Sequence, residues 1–322
     1  MKFRTELALP SQHPKIKLET QLLSLGSCFS DEIGQKMADY KFKIRHNPFG
    51  ILFNPISIFK LINDSLQHQQ VDSQHFVCQQ EHWFHYDFHS QWNDHSQQAL
   101  QLKLEEQLQS SKDWLATTNV LMLTFGTAWV HELLESQEIV ANCHKVPQSH
   151  FQKRLLTLEE LLIAFEKTLS LLPKTISILL TVSPIRHTKE GLENNQVSKS
   201  LLRLFCHFAA EKYENVRYFP SYELVLDDLR DYRFFKEDLI HPNSFSIDYI
   251  WKKFSQAYFD EEALVFIQEW QKIRTAMQHR PFHPNTTAHH TFLQTLFAKI
   301  KGFSTQVNVE EELQMVEELL KS

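Results

Sequence analysis

Short apolar runs constrain the fold of this chain more than any other feature of its sequence. Three runs are predominantly apolar over four to eight residues: Leu22–Leu25, Asn119–Phe125 and Thr175–Val182. Runs of this length without alternation are typical of parallel strands that are buried on both faces. Longer amphipathic segments lie between them. Strands that alternate with helices predict a doubly wound α/β fold with a central parallel sheet.

The first run ends at a turn that carries two nucleophilic side chains. Gly26 breaks the run, and Ser27 and Cys28 lead into a helical pattern. Because ligands of open α/β sheets bind beyond the carboxyl ends of the strands, either residue is a candidate nucleophile. The free N–H groups and dipole of a helix N-terminus favour a Cys28 thiolate, whereas Asp31 and Glu32 oppose it. A cysteine here can equally be a small, buried apolar residue.

A histidine and an aspartate near residue 240 are the candidate base and its partner. Asp238 and His241 are three residues apart, so one helical turn or loop can aim both in the same direction. The aspartate would orient the imidazole, and the imidazole would deprotonate the nucleophile. A helix-capping aspartate beside a surface histidine has the same spacing, so the pair alone leaves both interpretations open.

Charge and cysteine usage limit the possible partners. The chain has 33 basic and 39 acidic residues, a net charge of -6, which argues against a nucleic-acid surface. The four cysteines include no C-x-x-C pair, so neither a structural zinc site nor a disulfide framework is expected. No segment has the pattern of a signal peptide or a membrane span. We therefore expect a cytoplasmic protein without nucleic-acid or membrane partners.

A second group of polar residues lies on an alternating segment. His85, Asp87 and His89 share one face of a predicted strand or hairpin and have the residue types of a metal site. A solvated strand face produces the same pattern, and we favour that interpretation. No metal or other cofactor is expected.

The chain changes character after Asp260. Three helical patterns, at Glu262–His279, Thr287–Ile300 and Val309–Leu320, follow one another with a linker at 279–284. We predict a sheet domain over residues 1–259 and a helical extension over residues 260–322, which would cover the sheet domain or hold a partner.

Seven short motifs occur in one order along the chain: Gly26–Phe29, Asn47–Pro55, Asp87–Ser90, Asn142–Lys145, Ser183–His187, Asp227–Phe234 and Asp238–Pro242. Together they resemble the GSCFA family, which is named for the first motif and is grouped with the SGNH/GDSL hydrolases. The resemblance runs from about Leu22 to Phe259. It implies a flavodoxin-like SGNH fold with three layers around a central parallel sheet.

The resemblance also implies roles for particular residues. The superfamily's nucleophilic G-D-S turn aligns with Gly26-Ser27-Cys28, which departs from it and places Cys28 at the nucleophile. Ser27 could instead act from a shifted position. We prefer Cys28, since a thiolate paired with histidine needs less activation than a serine hydroxyl. The D-x-x-H motif is intact as Asp238 and His241.

The implied oxyanion hole is incomplete. Its expected donors are the amides of Cys28 and Gly50, but the asparagine of the G-x-N-D motif is missing from Gly126–Trp129. Thr127 could donate instead. Loss of one donor typically costs about 2.7–4 kcal/mol of transition-state stabilisation.

The resemblance places further polar residues near the crevice as substrate-binding candidates: His89, Ser90, His144, Lys145, Arg186 and His187. Lys145 and Arg186 suggest an anionic or carbohydrate substrate. The implied function is an ester or thioester hydrolase, or an acyltransferase, acting on a small or carbohydrate-linked acyl substrate. The alternative is a ligand-binding protein on an SGNH scaffold with little or no catalysis. The oligomeric state stays open.

Overall fold

The computed structural model describes residues 4–67, 70–279, 281–283 and 286–321. The described residues form two compact units. The first unit takes residues from Met1–Leu9, Gln21–Gln35 and Ile44–Lys253, and the second takes residues from Pro10–Thr20, Lys36–Lys43 and Phe254–Ser322. The domain boundary predicted after residue 259 stays a prediction. The predicted linker at 279–284 includes two positions, 280 and 284, outside the described residues.

The strands are β1 (Leu22–Gly26), β2 (Ile44–His46), β3 (Phe76–Gln79), β4 (His82–His85), β5 (Val120–Phe125), β6 (Trp129–Leu133), β7 (Ile139–Val140), β8 (Phe151–Leu155), β9 (Ser177–Val182) and β10 (Val216–Tyr218). The helices are α1 (Cys28–Asp39), α2 (Pro55–Gln67), α3 (Gln97–Thr117), α4 (Leu158–Leu171), α5 (Leu192–Lys212), α6 (Ser221–Glu223), α7 (Ser244–Tyr258), α8 (Glu261–Met277), α9 (Thr287–Lys301) and α10 (Glu310–Lys321). A π-helical segment, Leu224–Leu229, continues α6, and four short 3₁₀ turns occupy Ser73–His75, Gln148–His150, Thr188–Glu190 and Tyr232–Phe234.

A five-stranded parallel sheet forms the centre of the first unit. Its strands lie in the order β2-β1-β5-β9-β10, so their order along the chain reads 2-1-3-4-5. This is the flavodoxin-like arrangement. All residues of β1 and β5 are buried, which explains why the strands read as continuous apolar runs. The predicted α/β fold with a central parallel sheet is confirmed.

Aromatic side chains attach the helices to one face of this sheet. Phe59 of α2, Phe165 of α4 and Phe205 of α5 form a cluster with Phe125 of β5, with ring centroids 5.5–6.3 Å apart. Edge-to-face and tilted pairs at this separation stabilise beyond the area that they bury. The cluster holds three helices against the strand whose end carries part of the site.

Local sequence determines where two of these helices begin. The Asn54 side chain accepts the Ser57 amide N–H at 2.8 Å, and Pro55 is the first residue of α2. At the start of α4, Thr157 and Glu160 form the reciprocal capping box. Both starts follow from local sequence, because a capping residue acts on amides only two or three positions away.

The second unit contains the predicted C-terminal helices. Phe266 and Trp270 of α8 stack at 5.7 Å and both contact Phe303 edge-on. The Trp270 indole donates to the Asp39 carbonyl at 3.0 Å, which places the segment Lys36–Lys43 in this unit. Across the described residues of both units, no helix has the length and apolar character that crossing a bilayer requires.

Candidate active site

A cleft opens where the strand order of the central sheet reverses. The reversal lies between β1 and β5, and ligands of open α/β sheets bind beyond the carboxyl ends of the strands at this point. The cleft has a volume of about 500 Å³. Its lining includes Cys28, Phe53, Asn54, Thr127, Trp129, Asn142, Cys143, Arg186, His187 and His241.

Gly26 fixes the turn that brings the chain from β1 to this cleft. Its φ of 147° lies outside the range of most L residues, and a Cβ would lie 2.1 Å from the Thr124 carbonyl oxygen. Its amide donates to the Asn47 side chain at 2.8 Å, and its carbonyl accepts from the Leu52 amide at 2.9 Å. Only glycine allows this close approach of β1 to β5, so α1 begins at the cleft.

The structure separates the two candidate nucleophiles. Cys28 is the first residue of α1, is half-buried and lines the cleft. Ser27 is fully buried, and its hydroxyl has no hydrogen-bond partner among the described residues. The geometry therefore favours Cys28 over Ser27 as the side chain that a substrate can reach.

Burial decides the protonation state of Cys28. Desolvation raises the pKa of the thiol, and Glu32 adds to this effect, while the amides of Cys28 and Phe29 and the ammonium of Lys236 oppose it. The sequence offers the helix N-terminus in favour of a thiolate and Asp31 and Glu32 against it; in the structure the burial of the thiol outweighs the helix N-terminus. The resting group is a thiol, so attack on a substrate requires a base.

Asp238 and His241 form a hydrogen-bonded pair at the edge of the cleft. The His241 Nδ1–H donates to the Asp238 carboxylate at 2.7 Å, since an ionised carboxylate can only accept. The backbone amides of His241 and Ile240 also donate to this carboxylate, and with the imidazole they lower its pKa to about 2. With Nδ1 committed, Nε2 of His241 is the nitrogen left to act as a base.

Arg186 holds the loop that carries this pair. Its backbone amide donates to the Ile240 carbonyl at 3.2 Å, and its guanidinium donates to the Leu239 carbonyl at 3.0 Å. The guanidinium also lies over the rings of Tyr232 and Phe235, at 5.4 and 5.7 Å. Leu239 has a φ of 56°, which is unusual outside glycine and indicates a strained loop. Arg186 therefore holds the loop of the Asp238–His241 pair and also lines the cleft, and its expected role in substrate binding stays a prediction.

Two expected oxyanion donors are already committed. The Gly50 amide donates to the Asn47 carbonyl at 2.8 Å, and the Thr127 amide donates to the Phe53 carbonyl at 3.0 Å. The Thr127 hydroxyl oxygen accepts from the Trp129 amide at 3.1 Å. The Gly50 bond closes its own turn, whereas the Thr127 bond joins the end of β5 to the segment before α2. Both amides are thus occupied, and the oxyanion roles expected for Gly50 and Thr127 stay predictions. The Cys28 amide, at the helix N-terminus, remains a candidate donor.

His187 contributes a half-buried imidazole with one buried nitrogen to the cleft. Its Nε2 atom is buried and has no hydrogen-bond partner in the described part of the chain. The ring contacts Phe53 edge-on at 5.3 Å, and a Cβ added to Gly126 would lie 3.1 Å from Nε2. Desolvation, followed by the charges of Lys199 and His241, lowers the pKa of His187 to about 3. The imidazole is therefore neutral at ordinary pH.

Lys199 is a buried residue of this region that the sequence interpretation missed. Its ammonium donates to the carbonyls of Gly126 and Ser183 at 2.6 and 2.7 Å, which ties together the ends of β5 and β9. Burial lowers its pKa to about 7, and Cys28 opposes this shift. The available signal was its position on α5: Lys199 is spaced with Leu202 and Cys206 along the core-facing side, where a lysine is unexpected.

Two other predicted binding residues, Ser90 and His144, brace the wall behind the cleft. The Asn142 amide donates to the Ser90 hydroxyl at 2.9 Å, and that hydroxyl lies 3.3 Å from Nδ1 of His144. His144 is buried and its Nε2 lies 2.8 Å from the His85 carbonyl, so Nε2 carries the proton and Nδ1 accepts. Ser90 and His144 hold the segment that presents Asn142 and Cys143 to the cleft.

The remaining two predicted binding residues lie elsewhere. His89 packs against Gly50, and its Nδ1 accepts from the Gln91 amide at 3.3 Å. Lys145 is exposed. Neither is part of the cleft lining. Of the six expected substrate-binding residues, the structure therefore brings Arg186 and His187 to the cleft.

The alternating histidine segment forms a separate, buried cluster. His85 and Asp87 are 0% and 4% exposed, so the predicted solvated strand face is wrong. The Asp87 carboxylate accepts from Lys60 at 2.8 Å and lies 3.2 Å from Nδ1 of His75; although burial alone would raise its pKa, these partners hold it at about 2. His85, His75 and Asp87 have the spacing of metal ligands, but the Lys60 ammonium already lies beside the carboxylate. His89 does not join them.

The strand order and the cleft define a flavodoxin-like α/β protein with a cysteine and a histidine–aspartate pair at its switch point. The model of the GSCFA family matches residues 21–254, and the model described as GSCFA domain protein, C-terminal domain, matches residues 270–322. The chain belongs to the GSCFA family, as the sequence motifs predicted. None of the curated proteins matches it.

Proposed function

We propose that the protein is an SGNH-type acyl-transfer enzyme that uses Cys28 as its nucleophile. The reaction would be ester or thioester hydrolysis, or transfer of the acyl group to an acceptor. One observation carries the proposal: the thiol and the aspartate-paired imidazole of His241 line the same cleft at the switch point of the sheet. Cys28 and His241 are 213 positions apart in sequence, and the fold brings them to one site.

The proposed reaction has two balanced steps. His241 Nε2 takes the thiol proton as the Cys28 sulfur bonds to the acyl carbon, and the carbonyl electron pair moves to oxygen. The oxyanion then collapses, the bond to the leaving group breaks, and His241 gives its proton to that group. Water or an acceptor hydroxyl next attacks the thioester with His241 as base, which releases the acyl product and restores the thiol. Asp238 orients the imidazole throughout.

The lining of the cleft supports a small acyl substrate. Phe53, Trp129 and Ile185 provide apolar contacts, and Lys189 adds a positive charge. A cleft of about 500 Å³ is within the range of small-molecule sites. The proposed substrate is a small or carbohydrate-linked acyl ester, and no nucleic-acid or membrane partner is proposed. We also propose a cytoplasmic location, because four free cysteines suit a reducing compartment.

The test is a substrate panel of acyl esters and thioesters assayed on the wild type and on Cys28→Ala. Turnover should be lost in Cys28→Ala and kept in the matched control Cys78→Ala, because Cys78 is an exposed cysteine away from the cleft. An iodoacetamide probe should modify Cys28 in the same preparations, as located by peptide mass spectrometry. Equal turnover by the wild type and Cys28→Ala would remove Cys28 as the nucleophile.

A ligand-binding role without turnover is the second candidate. The observation that favours it is the commitment of the Gly50 and Thr127 amides to the backbone carbonyls of Asn47 and Phe53, which leaves fewer oxyanion donors than an SGNH enzyme requires. Saturable binding of an acyl ester with no product formation, and with the same affinity in Cys28→Ala, would select this role.

A further inference from the structure

One atom of the cleft has no explanation in the roles assigned above. Nε2 of His187 is buried without a partner anywhere in the described ranges, although buried polar atoms are almost always hydrogen-bonded. We infer that this atom, as Nε2–H, is a second oxyanion donor and binds the acyl oxygen of the substrate. The inference rests on the proposed acyl transfer and assigns His187 a catalytic role within it.

The position of His187 compensates for the missing asparagine. That asparagine would stand at position 128, two residues after Gly126, where the chain has a buried Ala128. His187 comes instead from the segment after β9, which pairs with β5 up to Phe125 and Val182. The imidazole thereby reaches the same strand end from the neighbouring strand. Gly126 lies beside it, and a Cβ there would crowd Nε2 at 3.1 Å.

The surroundings of the imidazole keep it a neutral donor. Three basic groups act on its charge: Lys199 from α5, His241 from the loop that also carries Asp238, and Lys189 from the 3₁₀ turn that follows His187. With burial added, a second proton on the ring is disfavoured, so His187 carries one N–H and holds it while the acyl oxygen gains charge. A neutral imidazole that polarises a carbonyl has precedent among enzymes.

Contacts with Asn195 and Phe53 hold the His187 ring, and with it Nε2, in place. The His187 backbone amide donates to the Asn195 side chain at 2.9 Å, and the edge of Phe53 packs against the ring. Lys199 ties Gly126 to Ser183, the two strand ends beneath it. A donor that is held before the reaction needs no reorganisation when charge develops, which is the condition for strong oxyanion stabilisation. With the Cys28 amide, it gives the site two donors.

The test compares His187→Leu, which removes the donor, with His187→Gln, which returns an N–H of similar reach. In His187→Leu, kcat for a small acyl ester should fall by about 10²–10³ with little change in KM. His187→Gln should recover most of that loss. His207→Leu, at an exposed position of α5, is the matched control and should retain wild-type kcat.

A second readout separates an oxyanion role from a structural one. Alkylation of Cys28 by iodoacetamide forms no oxyanion, so its rate should be the same in His187→Leu and wild type. If turnover and alkylation fall together, or if His187→Leu keeps its turnover while Cys28→Ala is inactive, the inference is wrong and the proposed function stands. If Cys28→Ala equals the wild type, or if no ester is turned over, the proposed function fails and the inference fails with it.

Discussion

Two histidine-containing regions of the first unit differ in how completely their polar atoms are satisfied. In the cluster around Asp87, His85 accepts the Asp87 amide on Nδ1 and its Nε2 lies 3.0 Å from the Asp72 carbonyl, while Lys60 and His75 pair with the carboxylate. In the cleft, His187 has a buried nitrogen with no partner along the described ranges of the chain. The first region is a closed network, and the second leaves a donor available.

This difference teaches that a density of histidines is not by itself a sign of function. The Asp87 cluster has the residue types and spacing of a metal site, but its groups already neutralise and bind one another. The cleft instead contains a reachable thiol and an imidazole nitrogen that has no partner among the described residues. We expect substitutions in the cluster to change stability and substitutions in the cleft to change activity.

The largest expected effect is on turnover in Asp238→Asn. Asparagine keeps the oxygen that accepts the amides of Ile240 and His241, but its amide cannot accept from Nδ1–H of His241. The imidazole then adopts the wrong tautomer, and kcat should fall by up to about 10⁴. Urea unfolding should show little change in stability, because the pair is exposed. Unchanged kcat would exclude the dyad from the mechanism.

The matched substitution in the cluster, Asp87→Asn, should have the opposite profile. It leaves Lys60 and His75 without their counter-charge, which should cost about 3 kcal/mol in unfolding free energy, at the low end for a buried pair because Lys60 is 30% exposed. Its kcat should stay near that of wild type. Asp113→Asn, at an exposed position of α3, is the control for stability. A large loss of kcat in a still-folded Asp87→Asn would contradict the division into two regions.

The pH dependence of stability sharpens the comparison further. The folded protein protonates His187 only at about pH 3, whereas the unfolded chain does so near 6.5. Between these values the unfolded state binds more protons, so the free energy of unfolding should fall by a few kcal/mol as the pH falls from about 6.5 to 3. His187→Gln should flatten this slope. The residual slope should reflect the other histidines whose pKa burial lowers, which are His89, His131, His144 and His85, the last to about 4. The measurement is urea unfolding at several pH values. If the free energy of unfolding depends on pH equally in the wild type and in His187→Gln, the neutral state of His187 is contradicted.

A smaller effect is expected from Lys199→Met. The substitution leaves the carbonyls of Gly126 and Ser183 buried without their donor, which should cost about 1–3 kcal/mol in unfolding free energy. Because those carbonyls fix the strand ends beneath His187, kcat should fall as well. Lys212→Met, on the exposed end of the same helix, should change neither quantity. A stabilised and fully active Lys199→Met would show that the ammonium does not hold the site.

The parts of the fold that sequence predicted depend on local or periodic information. Fully buried strands read as apolar runs, and capping residues such as Thr157 act within one helical turn. The pairing of Asp238 with His241 was predictable for the same reason, since three residues separate them. In each case the interaction lies within a short stretch of chain.

The parts that sequence could not supply depend on contacts between distant segments. A lysine in a helix normally reads as exposed, and Lys199 is buried because two strand ends offer carbonyls to it. The sequence indicated Gly50 as an available donor, but in the fold its amide donates to the Asn47 carbonyl and closes its own turn. His85 and Asp87 read as a solvated face because their cover, the turn containing His75, lies ten residues away. Burial of the Cys28 thiol likewise depends on the whole fold.

Rapid acid quenching of the protein with an activated acyl ester, followed by intact-mass and peptide mass spectrometry, tests the central claim most directly. The account predicts one acyl group per chain, attached to Cys28, labile to hydroxylamine and formed more slowly in His241→Ala. An acyl group that maps to another residue, or that appears equally in Cys28→Ala, would contradict it.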